Sequence, residues 1–147
     1  PPAEEPDAEY PMVLTTGRQL EHWHPGAMPR RASVLDEIEP EAVASLSPDD
    51  LHRMGIHAGD RVRVATRRGA IELKARADHA IPSGMIFIPF CYVEAAANVL
   101  TNPQLDPFGK PFGAFTVMSR STRTAVYAQR NESNAARLWP SFFRSRS

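Results

Sequence analysis

Ten consecutive residues, Thr15-Thr16-Gly17-Arg18-Gln19-Leu20-Glu21-His22-Trp23-His24, concentrate hydrogen-bonding chemistry just beyond a short apolar run. Glycine lets the backbone approach a ligand and present its amide. A threonine hydroxyl adds a donor, and an arginine guanidinium grips two phosphate oxygens at once. Thr16-Gly17-Arg18 thus has the parts of a pyrophosphate grip. On three residues alone, a strand-end turn with a solvent-facing arginine explains them better, because such short motifs recur by chance. His22 and His24, two apart on an extended segment, share a face and offer two metal ligands, with Cys91 as a third. Zinc asks for three or four ligands in a tetrahedral array, and nothing around Cys91 has the usual paired spacing. Hydrogen bonding by the histidines and packing or stacking by Trp23 fit the decapeptide better than metal binding does.

Other candidates read more plainly. Cys91 follows an apolar strand and behaves as an inert small apolar residue, with no adjacent base to mark a nucleophile. Asn98 is either a helix-ending cap or an amide that reads a ligand. Arg67 and Arg68 read as solvated hairpin arginines, and His52, His57 and His79 as surface residues.

The elements that must position these groups are mostly short strands. Residues 1–9 are acidic and proline-rich and read as a linker or tail. Tyr10–Thr16 is the first strand, and Gly17–Arg31 is loop, with a helical turn near Met28–Val34. Glu37–Pro40 is an acidic loop, and Ala42–Leu46 is a buried strand. Ser47-Pro48-Asp49-Asp50 opens a helix with an N-cap serine, a proline in the first turn and acids against the dipole; Gly55 ends it. Arg61–Ala65 and Ala70–Ala75 alternate around the turn Arg67-Arg68-Gly69. Met85–Phe90 is nearly all apolar, so it is expected to be central and buried on both faces. Short strands, glycine turns and one clear helix predict a small closed β-barrel. Beyond residue 115 the composition turns to Ser, Arg, Asn and Thr. Val117–Met118 and Ala125–Tyr127 are the places where a strand could extend, and much of 116–147 is expected to be a poorly ordered tail.

The 147-residue length suits one domain. Its 17 basic residues balance its 17 acidic ones, which argues against a general nucleic-acid surface and makes any anion recognition local. A single cysteine excludes an internal disulfide. No apolar run has the length of a membrane span, and the N-terminus is the opposite of a signal peptide. The expectation is a cytoplasmic protein with no membrane partner.

In order along the chain, several blocks resemble one family. They are Leu14 to His24, Gly26-Ala27-Met28-Pro29-Arg30-Arg31-Ala32-Ser33-Val34-Leu35, the Pro48-Asp49-Asp50 helix with its Gly59-Asp60 turn, and Phe87-Ile88-Pro89-Phe90. Ala95 to Pro103 and Leu105 to Lys110 complete the set. Together they resemble the C-terminal molybdopterin-dinucleotide-binding domain of the bis-molybdopterin guanine dinucleotide oxidoreductases, and within that superfamily the catalytic subunit of formate dehydrogenases. The resemblance implies a mainly β fold, a six-stranded double-psi β-barrel with short helices, over residues 10–115. It implies that Thr16, Gly17, Arg18, Gln19, Leu20, Glu21, His22, Trp23 and His24 wrap the cofactor, that Asn98 contacts it, and that Phe90 lines the substrate approach. A cofactor-reaching lysine common in relatives has no counterpart in Pro111–Thr116.

The implied cofactor is molybdenum or tungsten bis-molybdopterin guanine dinucleotide. The metal ligand, the catalytic histidine and arginine, and any iron–sulfur cluster are expected in other domains, so no residue here is assigned as catalytic or metal-binding. The implied partners are the remaining domains of the catalytic subunit, or a separate catalytic subunit, with formate as the whole-enzyme substrate. Two alternatives stay open: a stand-alone, non-catalytic cofactor-binding subunit, and the corresponding domain of a nitrate reductase.

Overall fold

The computed structural model describes residues 4–23, 26–102 and 124–130, with 124–127 described by their backbone. Among the described residues the protein is mainly β, with six strands and a few short helices, as the sequence predicts. The strands are β1 (Met12–Gly17), β2 (Val43–Leu46), β3 (Arg61–Ala65), β4 (Ala70–Ala77), β5 (Met85–Pro89) and β6 (Thr124–Arg130). The helices are α1 (Ser33–Ile38) and α2 (Pro48–Met54), with single 3-10 turns at Pro29–Arg31 and Ala97–Val99.

The most local signals give the expected structure. Ser47 Oγ accepts from the Asp50 amide at 3.1 Å, and Gly55 closes α2 in the left-handed conformation at φ 66°. A cap of this kind contributes about 1 kcal/mol. On β3, Val62 and Val64 are fully buried while Arg61 and Arg63 face out, the period of two that its alternation predicts.

Long-range pairing places the rest. The strand order is β1-β5-β2-β4-β3-β6, and β6 pairs antiparallel with β1 as well as with β3. Two neighbours are parallel, β1 with β5 and β2 with β4. One face of the sheet supplies the core: Met12 and Leu14, Ala44 and Leu46, Val62 and Val64, Leu73 and Ala75, Ile86 and Ile88, and Ala128. Leu51 and Ile56 join them from α2 and the turn after it, and Cys91, Tyr92, Ala95, Ala97 and Leu100 from the loop after β5.

Several expectations are corrected. β5 does lie between two strands, but Ile86 and Ile88 are buried while Met85 and Phe87 are only half-buried, so it has one core face rather than two. Among the described residues no second layer fully covers its outer side. The acidic stretch from Glu37 begins inside α1 rather than in a loop. The strand allowed at Ala125–Tyr127 is present as β6, so the sheet continues past residue 115. Val117–Met118 lies outside the described residues.

Arg67 and Arg68 are not simply solvated. Arg67 pairs with Glu4 and Asp7, Arg68 reaches Glu4 at 2.7 Å, and the Arg67 guanidinium lies 4.6 Å from the centre of the Tyr10 ring. Two adjacent cations at a hairpin tip attract the nearest acidic segment, and here that is the stretch before β1.

Candidate functional site

Parallel neighbours deliver their chains to the same end of a sheet. In the β1/β5 ladder Thr16 stands beside Ile88 and Gly17 beside Pro89, and the Phe90 amide then donates to the Gly17 carbonyl at 3.2 Å. The loop after β1 and the loop after β5 therefore start side by side. Gly17 leaves room for the Phe87 ring: a Cβ there would lie 2.8 Å from Cε2 of Phe87, so the ring would have to shift. Thr16 shares the inward parity of Met12 and Leu14 and is half-buried where the strand ends.

Beyond Gly17 the loop turns its donors outward. Arg18 is exposed, with its guanidinium 5.4 Å from the centre of the Trp23 ring. Trp23 is 64 % exposed and has φ 57°. A left-handed backbone at a bulky residue costs on the order of 1–3 kcal/mol, and such strain gathers where a loop presents a side chain. Gln19 donates from its side-chain amide to Glu21 at 3.1 Å, and its carbonyl accepts from the His22 amide at 3.2 Å. Leu20, at 86 % exposed, stands out beside them. His24 lies outside the described residues.

His22 behaves differently from its neighbours. It is fully buried, its Nε2 is 2.6 Å from the Glu39 carbonyl oxygen, and its ring meets Tyr92 edge to face. A carbonyl only accepts, so Nε2 carries the proton, and Nδ1 is buried with no hydrogen-bond partner among the described residues. Tyr92 Oη donates to the same carbonyl at 2.9 Å. Burial raises the Tyr92 hydroxyl pKa, so the phenol stays protonated as that donor. Arg30 completes the frame. It forms two bonds to Glu94 at 2.8 and 2.7 Å, reaches Asp36 at 3.2 Å, and lies 4.8 Å from the centre of the Tyr92 ring. The bonds from Arg30 hold the Glu94 carboxyl below its ordinary value. Cys91 is buried in this frame, and desolvation pushes its thiol up to about 11.

Phe90 is half-buried and packs against the core, where the two loops begin. Asn98 is exposed in the 3-10 turn Ala97–Val99. That turn is seated on the β3–β4 hairpin: a Cβ on Gly69 would lie 2.6 Å from Cγ1 of Val99. The structure thus brings Thr16, Gly17, Arg18, Trp23 and Phe90 to one end of the sheet, turns His22 inward, and seats the turn that carries Asn98 against the hairpin. Tyr92, Arg30 and the Glu39 carbonyl carry the frame, and motif reading misses them. Backbone acceptors leave no mark in a sequence, although Tyr92 beside Cys91 is a recognisable buried pair.

The outward groups are a guanidinium, an aromatic face and side-chain amides, set just beyond Gly17. They suit a ligand with phosphates and planar, hydrogen-bonding rings. Residues 12–118 match the profile of the family described as the molydopterin dinucleotide binding domain. The chain belongs to this family. As such a domain it is 46% identical over 107 residues to F420-dependent formate dehydrogenase 1 subunit alpha of Methanococcus maripaludis, covering 72% of this chain. It is 47% identical over 108 residues to F420-dependent formate dehydrogenase subunit alpha of Methanocaldococcus jannaschii, covering 74% of this chain. It spans about 16% of the length of each of these curated relatives. Among solved structures, acetylene hydratase from Pelobacter acetylenicus aligns with a TM-score of 0.67 at 20% identity, over 83% of this chain and 18% of that one. This likeness shows a shared fold. Among the described residues no helix is long and apolar enough to cross a membrane, and no three His, Cys, Asp or Glu side chains gather as a metal-ligand group.

Proposed function

We propose that the domain binds and orients the dinucleotide of a molybdenum or tungsten bis-molybdopterin guanine dinucleotide cofactor within a formate-dehydrogenase-type catalytic subunit. The observation that carries this is the exposed Arg18–Trp23 pair at the shared exit of β1 and β5, within the segment matched to the family. The level of identity to the two formate dehydrogenase subunits supports formate as the substrate of the whole enzyme. The two parallel pairings and the double partnership of β6 support reading the sheet as a closed, six-stranded double-psi barrel over residues 10–130, wider than the sequence boundary.

Within this reading Thr16, the Gly17 backbone and Arg18 hold phosphate. Gln19, Glu21 and Asn98 read the ring edges, Trp23 and Leu20 cover a ring face, and His24 adds a donor. His22 anchors the loop from beneath, and Phe90 lines the substrate approach. When bound, the cofactor supplies the two-electron redox chemistry; the residues here supply affinity and aim. The partners are the remaining domains of the catalytic subunit, and the compartment is the cytoplasm.

The test is titration of the 147-residue chain with molybdopterin guanine dinucleotide, in a Trp139→Phe background so that Trp23 alone reports. Binding is expected to change Trp23 fluorescence and to move the amide resonances of 16–23 and 98. Arg18→Ala is expected to weaken binding roughly tenfold, the scale of a charge-assisted phosphate contact. Unchanged fluorescence and amide positions at saturating ligand would rule the reading out for the chain alone.

A further inference from the structure

The cofactor reading leaves one conspicuous group of charges unused, at the turn of the β3–β4 hairpin. The segment before β1 is organised rather than loose. Asp7 Oδ1 accepts from the Glu9 and Tyr10 amides at 2.9 and 2.8 Å, which turns the chain and leaves Oδ2 for Arg67. Glu4, whose side chain is only 9% exposed, bridges Arg67 and Arg68. Tyr10 packs its ring under Arg67. Both arginines belong to the β3–β4 turn, and the next residue is Gly69. The missing side chain at 69 is what lets Val99 sit on the hairpin tip: a Cβ there would fall 2.6 Å from Val99 Cγ1 and 3.3 Å from the Val99 carbonyl oxygen. Val99 directly follows Asn98, whose carbonyl accepts from the Thr101 hydroxyl at 3.0 Å and closes the short turn.

We infer that the Glu4–Asp7 arm, the Arg67–Arg68 tip and Gly69 form a positioning device that sets the place of Asn98, so that docking of the arm and binding at Asn98 are thermodynamically coupled. The step from arm to Asn98 stands on contacts within this chain; its consequence for affinity rests on the reading of Asn98 as a cofactor contact. Neither arginine touches the ligand in this scheme. They act through Gly69 and Val99. Coupling is reciprocal, so a bound ligand also tightens the arm. The Arg67–Asp7 pair is half-exposed and therefore screened by salt, while Glu4 is nearly buried, so the coupling weakens in part as ionic strength rises.

The experiment compares the full chain with Arg67→Gln/Arg68→Gln and with Gly69→Ala, using amide resonances first without ligand. Releasing the arm is expected to move the amides of Glu4–Tyr10 and also those of Asn98–Thr101, although the ion pairs of both arginines go to Glu4 and Asp7. Gly69→Ala, which leaves the arm's ion pairs in place, is expected to move Asn98–Thr101 by pushing Val99 away. Added salt should shift the wild-type resonances toward those of the double variant and leave the double variant nearly still. With molybdopterin guanine dinucleotide, the double variant is expected to bind roughly two- to fivefold more weakly, a loss absent when Asn98 is already alanine. Movement of the arm amides while Asn98–Thr101 stay fixed in the double variant would overturn the proposal. Coupled movement without any change in affinity would uphold the coupling and count instead against Asn98 as a cofactor contact.

Discussion

A carboxylate with no solvent exposure needs donors on both oxygens, and Asp50 has them. Its Oδ1 accepts from the Ser83 hydroxyl at 2.8 Å and from Arg53 at 2.5 Å, and its Oδ2 from the Gly84 amide at 2.7 Å. Burial is the largest single influence and raises its pKa. The Gly84, Ser83 and Ser47 hydrogen bonds and the Arg53 charge together outweigh burial and hold it below its ordinary 3.8. A depressed carboxyl stabilises the fold above its unfolded pKa and loses that stabilisation as pH falls through the folded one. Asp50→Asn is thus expected to cost about 2 kcal/mol near neutral pH, because an amide keeps one acceptor oxygen where donors meet the carboxylate on both. Urea titrations should show the gap between the two proteins narrowing below about pH 4, whereas a constant gap would count against the ionised form. Cys91 titrates the other way. With its thiol pushed up to about 11 by burial, alkylation by iodoacetamide at pH 8 is expected to proceed only as fast as the fold opens. At this scale the sequence is readable where chemistry is local: the Ser47 cap, and the grouping of Thr16, Gly17 and Arg18. It is silent about direction: in one loop Arg18 and Trp23 turn outward while His22 turns inward.

Between elements, arginine does the joining. Arg30 leaves the 3-10 turn Pro29–Arg31 and ties it at once to α1 through Asp36 and to the loop after β5 through Glu94. Arg30→Ala is therefore expected to cost little global stability, about 1 kcal/mol, since both ion pairs are partly exposed. It should nonetheless raise amide exchange across 26–38 and 91–95 together, as two loops lose their shared tie. Exchange that rises in one loop only would show that Arg30 does not couple them. Legibility at this scale follows locality as well. α2 carries its own start and stop signals, and both are plain in the sequence. α1 carries neither a side-chain cap nor a buried residue, and only its contacts with the preceding turn and Arg30 reveal why it is there. The hairpin of β3 and β4 is equally plain, but the acidic arm that clamps it is not, because opposite charges about sixty positions apart do not announce that they meet.

The whole molecule depends on pairings that no local pattern encodes. β1 lies against β5 and β6, and β3 is the only strand among those described that pairs with its immediate successor. A mainly β fold of short strands is legible from residue alternation and turn spacing. The count of six comes from the family resemblance, and the pairing order is legible from neither. The family match ends at residue 118, before Thr124–Arg130, although that strand pairs with both β1 and β3. A chain trimmed at 118 is expected to expose two bare strand edges and to self-associate on size-exclusion chromatography, while the full chain does not do so by that route. A trimmed chain eluting as a monomer with intact cooperative unfolding would show that β6 is dispensable. The same geometry has a consequence in time. Ribosomes deliver β6 after every other described strand, at roughly 5–20 residues per second, so the edges of β1 and β3 wait for seconds before their partner exists. A nascent chain with two open edges is what edge-binding chaperones engage, and a slow codon run between residues 90 and 124 would lengthen that exposure without changing a single atom of the finished fold.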